Sequence, residues 1–443
     1  MDLKETFFNI IKWFYPGMRV KRYALISIFG LLLLSWGLLI LLPIEFFRAF
    51  KELGFKILGS NKPLAFFVSF LGITLIILGI RWMNLSVFKE IIPHREKEVP
   101  EIIYRERYLR RGPKIVAIGG GTGLSTLLRG LKCYTSNITA IVTVFDSGGS
   151  SGRLRRDMGV LPPGDIRNCL VALAVSEPLM TKLFQYRFKE GELKGHSFGN
   201  LLIAAMSDIT GNFERAIWET SKVLSIRGRV LPSTLSSVTL CAEFEDGKII
   251  KGEDKIPSYG KRIKRLFIEP DEVYPLKEAI DAIHDAELIV LGPGSLYTSI
   301  ISNLLVRGIP EAIKASEAPK VYVVNIMTQP GETDGFTASD HLRELLSYLH
   351  MDKIDYVVVN NGTVSEDILA RYEKEFAKLV KIDYNILRRY AKNIILSDFV
   401  YMDKGVVRHN SSLLSEKIVN ILPSNRRLRG IIKRGEDIEK GIL

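Results

Sequence analysis

From residue 113 onward, short apolar runs rich in β-branched residues recur between longer stretches whose apolar positions fall on one helical face. The runs 114–118, 138–145, 286–291, 319–326 and 354–360 carry little or no charge, as strands buried on both faces must. Their alternation with amphipathic stretches predicts an α/β domain on a Rossmann-type parallel sheet, with helices on both faces. Residues 239–251, with Asp246-Gly247 at their centre, predict a β-hairpin that interrupts this alternation and decorates the sheet or forms a small subdomain. No internal repeat or low-complexity stretch is present.

The first hundred residues follow another pattern. Residues 23–44 contain no charge and are rich in Leu and Ile, long enough at about 20 residues to cross a bilayer. Residues 64–80 form a second uncharged run closed by Arg81-Trp82. The first run is too long for a signal peptide, and no small-residue cleavage site follows it. The expectation is therefore a transmembrane hairpin over 1–90, a charged linker over 91–112, the α/β domain over 113–422 and a basic tail over 423–443. Basic residues flank both runs, so the positive-inside rule places both ends of the hairpin, and the main domain, in the cytoplasm of a membrane-bound protein.

Charge sharpens this division. Residues 1–111 hold seventeen Lys and Arg against nine Asp and Glu, a surplus of +8 within the net charge of +12. The basicity is mostly juxtamembrane, suited to anionic headgroups, and gives no footprint for nucleic acid. Three cysteines, Cys133, Cys169 and Cys241, show no C-x-x-C spacing. That argues against a disulfide framework or a zinc site and suggests a reducing compartment.

The chemistry gathers where strands end. The first strand runs into Gly119-Gly120-Gly121-Thr122-Gly123 and then an amphipathic helix. Such a turn aims backbone N–H groups and a helix N-terminus at an anion, so a phosphate ligand is expected. A G-x-G-x-x-G fingerprint fails in both frames, at Leu124 and at Thr126, which disfavours NAD. No Gly-Lys-Ser/Thr follows, which excludes a P-loop. The run is similar to the tubulin-type GTPase signature, but Leu124 stands where that signature has another glycine.

The second strand ends in Asp146-Ser147-Gly148-Gly149, with Arg153 close behind. Its amides suit an anion nest, Arg153 adds charge-assisted bonds, and Asp146 suits a metal or a ribose hydroxyl. In Pro162-Pro163-Gly164-Asp165, N-capping of a helix accounts for Asp165 as well as ligand contact does, and Asn168 one turn on faces either ligand or solvent. His196, Ser197 and Asn200 precede another apolar helix. They suit phosphate binding, a general base at His196 or a plain capping turn; no acid partner for a Ser–His–Asp triad is visible. Gly292, Gly294 and Ser295 follow another strand, and residues 325–334 a further one. In an open α/β sheet all these loops share one edge, where ligands bind.

The motifs GGGTGLS, DSGGSSGRLR, PPGDIRN, HSFGNLL, GPGSLYTS and NIMTQPGETDGF, in this order, resemble the YvcK-type gluconeogenesis-factor family. That family is grouped with the 2-phospho-L-lactate transferases, and the likeness covers about residues 113–422. It implies a CofD-like fold that binds a UDP-sugar such as UDP-N-acetylglucosamine and regulates carbon metabolism, cell shape or envelope synthesis, generally without an established reaction. It also implies roles in sugar-nucleotide binding for Tyr372 and Arg408. Family members usually have Asp-Asp-Gly-Gly after the second strand, where this chain has Asp146-Ser147-Gly148-Gly149. Loss of that carboxylate weakens the alternative of a magnesium-dependent transferase acting on a nucleotide-diphosphate-linked substrate. The expected partners are the nucleotide sugar, the membrane and a regulatory protein that the sequence does not name, with room for a homodimer.

Overall fold

A computed structural model describes residues 106–422 apart from 176, 177 and 404, together with scattered positions between 48 and 74. The chain divides into two units between Tyr108 and Leu109. In the first, the scattered positions are helical, and Phe67, Phe70 and Leu71 are exposed. Run 23–44 and most of run 64–80 lie outside the described residues, as does tail 423–443. Among the described residues no helix is long and apolar enough to cross a membrane.

The second unit reaches slightly further back than its composition suggests. Leu109 is 1% exposed and its carbonyl accepts from the Gly112 and Ser136 amides, so residues 109–112 belong to the domain rather than to a linker. Its strands are β1 (Ile115–Gly119), β2 (Ile138–Val142), β3 (Arg229–Pro232), β4 (Thr239–Phe244), β5 (Ile249–Lys251), β6 (Ile263–Glu269), β7 (Leu288–Leu291), β8 (Lys320–Val323), β9 (Ile354–Asn360), β10 (Ala391–Ser397), β11 (Val400–Asp403) and β12 (Val406–His409). Its helices are α1 (Gly121–Leu131), α2 (Gly149–Met158), α3 (Gly164–Leu173), α4 (Pro178–Gln185), α5 (Phe198–Thr210), α6 (Phe213–Leu224), α7 (Lys277–His284), α8 (Ile309–Ala315), α9 (Ala338–Leu349), α10 (Glu366–Lys374), α11 (Tyr384–Tyr390) and α12 (Ser411–Val419).

Seven strands form one parallel sheet in the order β10-β9-β8-β7-β1-β2-β3. β1, β2, β7 and β8 are buried at every position, which requires cover on both faces. All five expected strands are present, although β2 and β8 end earlier than their apolar runs. The two strands not expected lie at the edges. β3 is only four residues long and contains Pro232, tolerated because an edge strand need not donate on both sides.

The expected hairpin forms as β4 and β5 around Gly247, and β6 joins it to make a separate three-stranded antiparallel sheet. The Leu266 amide of β6 donates to the Tyr348 hydroxyl of α9 at 2.8 Å, tying this insert to the main sheet's helical layer. The C-terminal helix closes the domain against its beginning. Ser411 and Ser415 of α12 donate to the Thr126 and Leu127 carbonyls of α1.

Candidate functional site

Strand order reverses between β1 and β7, and the loops leaving these two strands face each other across that switch. Gly120 is extended and carries no side chain to cap α1, while Gly121 adopts φ +63°, a region that disfavours any side chain. Gly123 packs against the turn after β7. A Cβ there would lie 2.5 Å from the Pro293 carbonyl oxygen. These two turns line a cavity of about 590 Å³, inside the ordinary range for small-molecule sites.

Residues 120–123, Asp146, Asp165, Asn168, Gly294, Ser295, Tyr372 and Arg408 all border this cavity. Gly119 lies just beneath, as the last residue of β1, and Gly292 packs behind the β7 turn. Arg408, on β12, donates from Nη1 to the Thr122 hydroxyl at 2.8 Å, across 286 residues of sequence. The Tyr372 hydroxyl on α10 accepts from the Val407 amide at 2.9 Å, so α10 braces the strand that carries Arg408. Ser295 is held by Gln329, whose Nε2 donates to its hydroxyl at 2.6 Å, and Asn325 donates to Gln329 in turn.

Other candidates turn away from the cavity. Ser147 donates to the Asp254 carboxylate, and Gly148 and Gly149 open α2. Arg153 donates to the Lys194 carbonyl rather than lining the site. His196 and Ser197 are buried, with His196 Nδ1 3.1 Å from the Ser150 hydroxyl. Burial and then the nearby Arg153 guanidinium hold the imidazole below its ordinary pKa. Ser197 caps α5 by accepting from the Asn200 amide, and Asn200 Nδ2 donates to Ser150. The HSFGN segment thus seats α5 against α2, one layer behind the cavity wall.

Of the two roles open to Asp165, capping is not the one seen. Pro163 precedes α3 and no side chain caps that helix. The Asp165 carboxylate instead accepts from the Gly121 amide, at the start of α1. Burial, then the neighbouring Asp146 charge, pushes it up to about 7. Burial also raises Asp146, against the bond it accepts from the Gly148 amide at 2.9 Å.

Glu253 is the cavity residue that the sequence does not reveal. It follows the β4–β5 hairpin, far in sequence from the glycine turns that line the cavity, with no motif around it. Burial, then Asp146 and Asp165, raise its carboxyl to about 8. Thr143, Thr298 and Ser299 also line the cavity and supply hydroxyls. The wall therefore has two characters: amides, hydroxyls and a guanidinium around Thr122, and a group of carboxylates formed by Asp146, Asp165 and Glu253.

Residues 115–400 match the family described as 2-phospho-L-lactate transferase CofD. A gluconeogenesis factor from Bacillus subtilis is 50% identical over 311 residues, covering 70% of this chain and 98% of that protein. A relative from Nostoc sp. is 49% identical over 420 residues, 92% of this chain and 91% of its own, so the likeness extends into the N-terminal segment. A crystal structure of a Bacillus halodurans protein, 52% identical, superposes with a TM-score of 0.68 over 70% of this chain and all of that one.

Proposed function

Because this chain belongs to the 2-phospho-L-lactate transferase CofD family, among relatives described as gluconeogenesis factors, we propose that it is a UDP-sugar-binding regulator held at the membrane by its N-terminal segment. UDP-N-acetylglucosamine is the ligand we assign. The observation that carries this reading is the meeting of Arg408 with the Gly120–Gly123 turn in one cavity at the sheet's switch point. Helix N-terminal amides and a guanidinium are the two groups that best offset a diphosphate. The uncharged runs 23–44 and 64–80, the juxtamembrane basic surplus and the exposed Phe67, Phe70 and Leu71 support anchoring.

Calorimetry with the full chain, comparing UDP-N-acetylglucosamine with NADH, tests the ligand. Tighter binding of NADH overturns it. Recovery of the chain in the membrane fraction, resistant to alkaline wash, tests the anchor, and quantitative release by the wash removes it.

One observation favours a second reading, a transferase: Asp146, Asp165 and Glu253 share the ligand cavity and hold raised pKa values. Among the described residues, however, no three Asp, Glu, His or Cys groups are arranged to hold a metal ion, so no magnesium-dependent step is drawn through them. Turnover of the UDP-sugar by the purified chain distinguishes this reading from binding alone.

A further inference from the structure

The loop after the β4–β5 hairpin is clamped on both sides. On one side Ser147 donates to the Asp254 carboxylate, and the Asp254 amide donates back to the Ser147 hydroxyl at 3.2 Å. On the other, Gly331 approaches so closely that a Cβ would lie 1.8 Å from the Pro257 carbonyl oxygen. The loop is therefore wedged between the turn that follows β2 and the loop that follows β8. The clamp leaves Glu253 half-buried in the cavity wall.

The charged groups acting on Glu253 are Asp146, Asp165, Glu332 and Asp254, all of them carboxylates. Glu332 lies behind, 7% exposed, with one oxygen accepting from the Thr298 hydroxyl and the other unpartnered. A phosphate placed against this wall would meet carboxyls that offer it no counter-charge. A neutral group rich in hydroxyl or amide groups would meet a carboxyl already fixed in place, which with its pKa raised to about 8 keeps its proton near neutral pH and can both accept and donate hydrogen bonds.

We propose that Glu253 is a specificity-determining residue, accepting hydrogen bonds from the sugar of a nucleoside-diphosphate sugar while Arg408 and the glycine turn hold the diphosphate. The inference rests on the UDP-sugar reading above. Its consequence is that the inserted three-stranded sheet, remote from the glycine turns in sequence, decides whether the ligand must carry a sugar.

The test compares UDP-N-acetylglucosamine with UDP on the full chain and on Glu253→Ala and Glu253→Gln, by calorimetry in EDTA and again with magnesium. Glu253→Ala should lose roughly 2- to 13-fold for the nucleotide sugar, the span of an ordinary hydrogen bond, and hold UDP unchanged or tighter. Glu253→Gln, which keeps an acceptor oxygen, should lose less than Ala. Equal losses for both ligands overturn the proposal, as does no loss for the sugar nucleotide. A loss seen only with magnesium overturns it in favour of a cation at this wall. Failure of the unmodified chain to bind UDP-N-acetylglucosamine removes the UDP-sugar reading itself, an outcome separate from any behaviour of the variants. A melting curve without ligand shows that each variant is folded.

Discussion

At the scale of single residues, the site depends on where charge is placed. Arg408 reaches Thr122 from a partly exposed strand, and the proposed function assigns its main work to the ligand complex rather than to the fold. Arg408→Ala should weaken UDP-N-acetylglucosamine by roughly 10- to 150-fold, with ligand-free stability moved by about 0.5 kcal/mol or less. Unchanged affinity would remove β12 from the site; a collapsed melting temperature would make Arg408 structural. The carboxylates make a different prediction. Asp165 titrates near 7 and Glu253 near 8 in the folded chain, against ordinary values of 3.8 and 4.5. The native state therefore keeps protons that the unfolded chain has released. Stability from these groups is complete at low pH and is lost as pH rises from about 4 through about 8. The ligand-free melting temperature should fall between about pH 4 and about pH 8, and Asp165→Asn should flatten that slope. A slope identical in the variant would show that Asp165 ionises normally. Of these residues the glycines and Asp146 were legible from their position after strands. Arg408 was legible only by resemblance, and Glu253 not at all, because its approach to the cavity is set by tertiary contacts.

At the scale of elements, apolar runs read well where both faces of a strand are buried and poorly at the sheet's margins. β1, β2, β7 and β8 stand out because every position is buried, and β9 because its last four are. β10 carries Lys392 and Asn393 on an exposed stretch, and β3 is cut short by Pro232, so neither offers a pattern. The sequence of loop 146–149 suits a ligand nest, yet its Ser147 grips Asp254 instead. The insert clamp leads to a prediction at this scale. Gly331 holds φ +78° against Pro257, so Gly331→Ala adds both backbone strain and a clash. Left-handed backbone alone costs a non-glycine residue about 1–2 kcal/mol. The variant should lose at least that much in urea denaturation and should bind the sugar nucleotide more weakly. Full stability would mean that the loops part freely.

At the scale of the molecule, the α/β unit should stand without the N-terminal segment, since its core and cavity come from residues after 108. A fragment beginning at Glu106 should be soluble and bind the nucleotide sugar as the full chain does. One beginning at Gly112 lacks the buried Leu109 and should be less stable by about 2–5 kcal/mol, the usual cost of emptying a leucine site. Equal stability of the two fragments would place the boundary later. The join between α1 and α12, with Arg408 just before it, also has a meaning for synthesis. The glycine turn leaves the ribosome first, and its partners follow nearly 300 residues later. At ordinary rates of translation that delay is on the order of tens of seconds. For that time the nascent chain has the turn but neither the guanidinium nor the helix that backs it. A product cut short before β12 would carry the glycine turn without Arg408 or α12. On the proposed function, finished copies of the chain are the ones that hold the nucleotide sugar tightly.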